Sequence, residues 1–169
     1  DGGALSLPEG LEVIGAKAFS NAKLVGNLTI PSTVTTIGAN AFISAYISQK
    51  DKGTLTFALG EDGKSQLQEI PAYAFNKCIG LSGNVNIPNS VTKIGDYAFA
   101  ECSSLDGSLT LSDSLVTIGT AAFNKCSSLI GDVKIPDSVT SLGATAFKDC
   151  ESLDGTLKLS VNLTKIPVD

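Results

Sequence analysis

The chain has 169 residues, 43% of them hydrophobic and 17% charged, so it can bury a sizeable core and is not a disordered segment. Its 12 basic and 17 acidic residues leave a net charge of −5, which argues against a nucleic-acid surface, since phosphate binding needs clustered Lys and Arg. No apolar stretch approaches the ~20 residues of a membrane helix, none reads as a signal peptide, and the absence of histidine removes mixed Cys/His zinc sites.

In chain order, Leu5-Ser-Leu7 opens a series of short alternating segments. It continues with Leu28-Thr-Ile30, Leu55-Thr-Phe57, Val85-Asn-Ile87, Leu109-Thr-Leu111, Val133-Lys-Ile135 and Leu157-Lys-Leu159. The period of two predicts strands whose first and third side chains enter a core while the middle one faces solvent. A glycine stands two residues before all but the first, at 26, 53, 83, 107, 131 and 155, as a turn into the strand would require. After each strand comes a turn, often with proline, and then an apolar pair three apart, such as Val91 and Ile94 or Leu115 and Ile118. A second glycine follows at 15, 38, 95, 119 and 143, with Pro71 and Pro167 in its place elsewhere.

The unit closes on Ala-Phe-x-x-Cys, whose three-residue spacing predicts a short helix or 3₁₀ turn opposite the strand. The Ala-Phe pairs end at Phe19, Phe42, Phe75, Phe99, Phe123 and Phe147, so the unit recurs at 24 residues over its last three intervals. A fixed period of this size marks a solenoid, in which each coil buries its apolar face only against its neighbours.

Written out, the unit is Leu-x-x-Ile-Gly-x-x-Ala-Phe-x-x-Cys-x-x-Leu-x-Gly-x-Leu-x-Ile-Pro-x-x-Val. It resembles a leucine-rich repeat, and more narrowly the BspA-like subfamily, over residues 5 to 166. The resemblance implies an α/β solenoid of six to seven coils, with short parallel strands on the concave side and helical or 3₁₀ turns on the convex side. It also implies a single domain over residues 1–169, part of a longer secreted or cell-surface protein of bacteria or protists. Two departures stand out. The Asn that commonly ladders just after the strand is replaced by Pro88, Ser112 and Pro136, and Cys78, Cys102, Cys126 and Cys150 hold a convex position that is more often Leu.

Four cysteines 24 residues apart admit a disulfide framework, a metal site or buried free thiols. The free-thiol reading is preferred, because Ala22 and Ala45 hold the same position in the first two units and free Cys packs as a small apolar group. No cofactor or metal is expected. No nucleophile is paired with a base, and neither a Gly-x-Ser-x-Gly elbow nor a phosphate loop occurs, so the chain reads as non-enzymatic.

The expected function is adhesion, through recognition of a host or matrix protein or an extracellular glycan. The alternative is a structural spacer that presents another domain. On the concave face the outward residues Thr56, Asn86, Thr110, Lys134 and Lys158 are candidates for partner contact. The period fails once, around Leu55-Thr-Phe57: three extra residues precede that strand and six follow it. Insertions in repeat arrays enter loops, often on the binding face. Tyr46, Lys50 and Lys52 before the strand, and Glu61, Asp62 and Lys64 after it, are therefore expected to form paired rims. Tyr73 and Tyr97, equivalent residues of adjacent units, are expected to stack on the convex side.

Overall fold

The computed structural model describes residues 2–167 and is built almost entirely of two-residue strands and turns. The strands of the first half are β1 (Val13–Ile14), β2 (Leu28–Ile30), β3 (Thr36–Ile37), β4 (Gly53–Phe57), β5 (Glu69–Ile70), β6 (Leu81–Ser82) and β7 (Val85–Asn86). Those of the second half are β8 (Lys93–Ile94), β9 (Leu109–Thr110), β10 (Thr117–Ile118), β11 (Val133–Lys134), β12 (Ser141–Leu142) and β13 (Leu157–Lys158). All pairings are parallel and join residues one coil apart, as in Val85 with Leu109 and Asn86 with Thr110. The result is a parallel-strand solenoid of six coils, each marked by one strand of the set β2, β4, β7, β9, β11 and β13.

The alternating segments form strands as their pattern predicts. Leu28 and Ile30 are buried around an exposed Thr29, and Val85 and Ile87 around an exposed Asn86. Leu5-Ser-Leu7 does not join this sheet; the opening coil is tied down by a parallel bridge from Ala4 to Val25. A second sheet runs beside the first, ordered β12-β10-β8-β5, with β1 and β3 paired separately. It arises from the segment read as an apolar pair three apart. Only two residues per coil contribute, one inward (Ile70, Ile94, Ile118) and one outward (Glu69, Lys93, Thr117), too short for a period to show.

The helical turns expected on the convex side do not form: no helix occurs among the described residues. Tyr97 and Glu101 have φ of 55° and 61°, outside any right-handed helix. Every second N–H leaves the coil, with Tyr97, Phe99 and Glu101 donating to the carbonyls of Thr120, Ala122 and Asn124, each at 2.8 Å. The N–H groups between them close tight turns, Ala98 to Gly95 at 3.3 Å and Ala100 to Tyr97 at 3.2 Å. A helix would keep all of these donors within its own coil. Here half of them form a third ladder between coils, which offsets the ~1–2 kcal/mol cost of each left-handed non-glycine residue.

Six phenylalanines fill the core behind these turns. Phe19, Phe42, Phe75, Phe99, Phe123 and Phe147 form one stack with centroids 5.1–5.3 Å apart and ring planes within 13°. The four inner rings are fully buried. Such aromatic pairs add ~0.5–1.5 kcal/mol each beyond area burial.

The cysteines line the same core as free thiols. Their sulfurs do more than fill space: Cys78, Cys102, Cys126 and Cys150 donate to the carbonyls of Phe42, Phe75, Phe99 and Phe123 at 2.9–3.1 Å. Burial pushes the Cys78 thiol up to about 12 and the half-buried Cys150 thiol up to about 11. Both are inert as thiolates at neutral pH.

The structure also resolves a longer period. The first sheet is paired as β2 with β4, β7 with β9 and β11 with β13, and no ladder joins β4 to β7 or β9 to β11 among the described residues. The glycines before the strands alternate in step. Gly26, Gly83 and Gly131 have φ of 76–78° with free space where a Cβ would stand. At Gly53, Gly107 and Gly155 a Cβ would instead strike the turn of the preceding coil. The next residue of each first coil, Asn27, Asn84 or Asp132, accepts the backbone N–H of Thr54, Ser108 or Thr156 in the second. Here an Asx cap before the strand, used every second coil, fixes the pairs, whereas the family pattern places its Asn ladder after the strand. The repeating unit is therefore a pair of coils. The sequence agrees: Ala-Phe-Asn-Lys-Cys occurs at 74–78 and again at 122–126, with other residues after Ala-Phe in the coils between.

Candidate binding surface

The two insertions of the third unit take different forms. The first closes a turn in which the Ser48 hydroxyl donates to Asp51 Oδ2 at 3.2 Å and accepts the Asp51 N–H at 3.1 Å. The second is a hairpin-like loop in which Gly60 and Lys64 are bonded at 2.8 Å, Gly63 at φ 72° makes the reversal, and Asp62 Oδ1 accepts the Lys64 N–H at 3.0 Å.

At the coil boundary after β4 the register is offset. Repeat equivalence matches Gly53 with Gly83, yet Gly53 pairs with Leu81 and Thr54 with Ser82, two residues earlier. The same offset occurs at the next boundary between coil pairs, where the Ile130 N–H donates to the Gly107 carbonyl, so it belongs to the pairing of coils rather than to the insertions; between β4 and β7 lies a groove of about 390 Å³. Its walls are Thr54 and Thr56 on one side, Asn84 and Asn86 on the other, and Leu59 from the second insertion. Leu59 is 58% exposed. The same residue borders a second groove of about 330 Å³, with Lys64, Gln66, Gln68 and Asn89. The side chains lining the first groove are hydroxyl, amide and apolar groups with no titratable member, a set suited to recognition rather than to proton transfer.

Of the expected contact residues, Thr56 and Asn86 meet in this groove, and Lys64 borders its neighbour. Glu61 and Asp62 stand exposed at the loop tip. Thr110, Lys134 and Lys158 continue the exposed row along the face, in the registers Asn86 with Thr110 and Lys134 with Lys158. Lys50 is exposed, and Lys52 reaches Asp106 at 3.7 Å.

Tyr46 does not belong to the surface. It is 1% exposed and packs in the hydrophobic core, with its hydroxyl pushed up to about 12 by desolvation and then by the adjacent Cys78. Its carbonyl accepts the Gly80 N–H at 2.8 Å, so the residue anchors the insertion rather than presenting it. The rims are also unpaired: the groove beside the first insertion is lined by Lys23, Leu24, Val25, Ile47, Ser48 and Asp51 and shares no residue with those of the second. Sequence reading missed Leu59, Thr54 and Asn84. An apolar residue inside an otherwise polar insertion was the available signal for Leu59.

Fold, period and surface together define a leucine-rich-repeat solenoid. The BspA type leucine rich repeat region matches six copies over residues 3–52 and 64–169, leaving out β4 and the start of the second insertion. The chain belongs to this family. Among solved structures it is similar to a leucine-rich repeat protein from Eubacterium ventriosum, at 23% identity and a TM-score of 0.67. It is also similar to a leucine rich repeat protein of T. pallidum, at 27% and 0.56, and to a leucine rich cell surface protein from Faecalibacterium prausnitzii, at 21% and 0.50. The alignments cover 96%, 90% and 89% of this chain, but 37%, 56% and 52% of the respective proteins. Comparison with curated proteins yields no match.

Proposed function

We propose that the chain is a non-enzymatic adhesion module of a cell-surface or secreted protein, recognising a host protein or extracellular polymer through the β4–β7 face and the loop after β4. The observation that carries this reading is the groove in which Leu59 meets Thr54, Thr56, Asn84 and Asn86. Here an apolar side chain 58% exposed stands beside the exposed polar side chains of Thr54, Thr56 and Asn86. Buried apolar anchors ringed by polar contacts are the usual core of a protein interface. The row Thr110, Lys134 and Lys158 extends the contact along the axis, and Lys50, Lys52, Glu61 and Asp62 supply its charged periphery. Family membership and the surface assignment of the Faecalibacterium protein support the location.

The test is a screen against matrix proteins and glycans with two forms of the domain. One is intact; the other lacks 49–51 and 59–64, which restores repeat length on both sides of β4. Loss of binding by the shortened form is expected. Unchanged binding would reject the loop, and no binding by either form would favour a spacer.

A further inference from the structure

The left-handed turn position that opens the convex ladder is occupied in successive coils by Tyr73, Tyr97, Ala121 and Thr145, with φ of 58°, 55°, 52° and 56°. The two tyrosines stack at 5.0 Å with planes 5° apart. One coil further the ring is missing. The N–H of Ala121 bonds to Ala144 just as that of Tyr97 bonds to Thr120, both at 2.8 Å, so the backbone continues unchanged beneath a side chain too small to continue the stack.

A groove of about 380 Å³ opens at this rung. Tyr97 bounds it on one side and Thr145 on the other, Ala121 lies in its floor, and Asn124, Lys125, Lys148 and Asp149 complete it. Asn124 donates its side-chain N–H to the Lys148 carbonyl at 3.1 Å, which fixes the amide beside the groove. A tyrosine at this position is not needed to cover the phenylalanine stack, because Phe123 stays fully buried in the coil that carries Ala121 instead.

We propose that this interrupted tyrosine ladder is a carbohydrate subsite, in which a pyranose ring of an extracellular glycan takes the vacant rung over Ala121 and stacks on Tyr97. A sugar ring has the needed pair of properties, an apolar face for the aromatic plane and hydroxyls at its rim for amide, ammonium, hydroxyl and carboxylate partners. The phenyl ring of a protein partner would fill the rung but has no hydroxyls to bond with Asn124, Lys125 and Asp149. The subsite lies on the turn face, away from the β4–β7 groove, and does not depend on the function proposed for that groove.

The test is titration of the intact domain with cello-, chito- and uronate-containing oligosaccharides, followed by tyrosine fluorescence and by ligand-observed NMR. Ala121→Tyr is the decisive variant. It completes the ladder at a φ that tyrosine already adopts twice, so it should fold and retain its melting temperature while filling the subsite. Binding of at least one oligosaccharide series, weakened about tenfold or more by both Ala121→Tyr and Tyr97→Ala, is expected. Failure of every series to bind, or equal affinity in Ala121→Tyr and the parent, would overturn the proposal. Capture of a protein that is lost in Ala121→Tyr, without glycan binding, would overturn the ligand class.

Discussion

Residues 91–150 and residues 46–66 obey the same packing rules with opposite results at the surface. In the regular stretch, many polar groups freed by turns are taken up by the neighbouring coil, although the buried Ser138 hydroxyl has no partner among the described residues. Asp96 Oδ1 accepts the Thr120 N–H at 2.7 Å, Asn89 accepts that of Asp113 at 3.0 Å, and Asn124 donates to Lys148. In the interrupted stretch the core is kept, with Tyr46 and Leu55 buried, while Leu59 is left outside. Extra residues between fixed core positions cannot enter the core. They stay outside it, and Leu59 among them becomes a wall of the groove beside β4.

The largest expected effect tests the regular stretch. Phe123→Ala removes a fully buried ring from the middle of the stack, where collapse is opposed on both sides, and should cost ~3–5 kcal/mol in urea unfolding. A loss near zero would mean that the rings do not carry the coil.

Next come the glycines, which separate the two coils of a pair. Gly53→Asn drives a side chain into the Gly26 turn and should cost ~1–3 kcal/mol or more. Gly26→Asn needs only the left-handed φ that Asn tolerates and has free space, so its cost should stay below ~1 kcal/mol. Equal costs would remove the distinction between first and second coils.

The thiols offer a pH test. Their folded values lie above the ordinary 9.0, so they contribute stability fully below pH 9, and that contribution falls as pH rises toward 11 for Cys150 and 12 for Cys78. Unfolding midpoints should drop over that window, and less steeply in Cys78→Ala. A flat profile would place the thiols in contact with water. Labelling near neutral pH should reach Cys150 before Cys78, Cys102 or Cys126, the three that are fully buried.

The smallest effect belongs to the loop. Deleting 59–64 shortens a connection whose closure entropy varies slowly with length, so stability should change by less than ~1 kcal/mol. A loss comparable with Phe123→Ala would show that the insertion is part of the core.

Much of this was legible in the sequence. The 24-residue period, the alternating strands and the alanines at 22 and 45 were sufficient for the solenoid and for buried thiols. The convex turns were not, because Ala-Phe-x-x-Cys fits a helical turn and a chain of left-handed turns equally well, and only the destination of each N–H separates them. The pairing of coils hid inside the shorter period, since Asn27, Asn84 and Asp132 and their counterparts Thr54, Ser108 and Thr156 are all short polar residues, and only the structure shows the first set accepting the N–H of the second. At the surface, Thr56 and Asn86 were found by alternation. Tyr46 was misplaced because an insertion's first residue is still bound to the core, and Leu59 was missed because no repeat partner marked it.

The central claim is that recognition sits where the period fails. The most direct measurement is amide hydrogen exchange of the intact domain, free and with a partner obtained from the screen. Added protection should concentrate in residues 54–66 and 84–90. Protection confined to 109–158, with 54–66 exchanging as in the free chain, would contradict it.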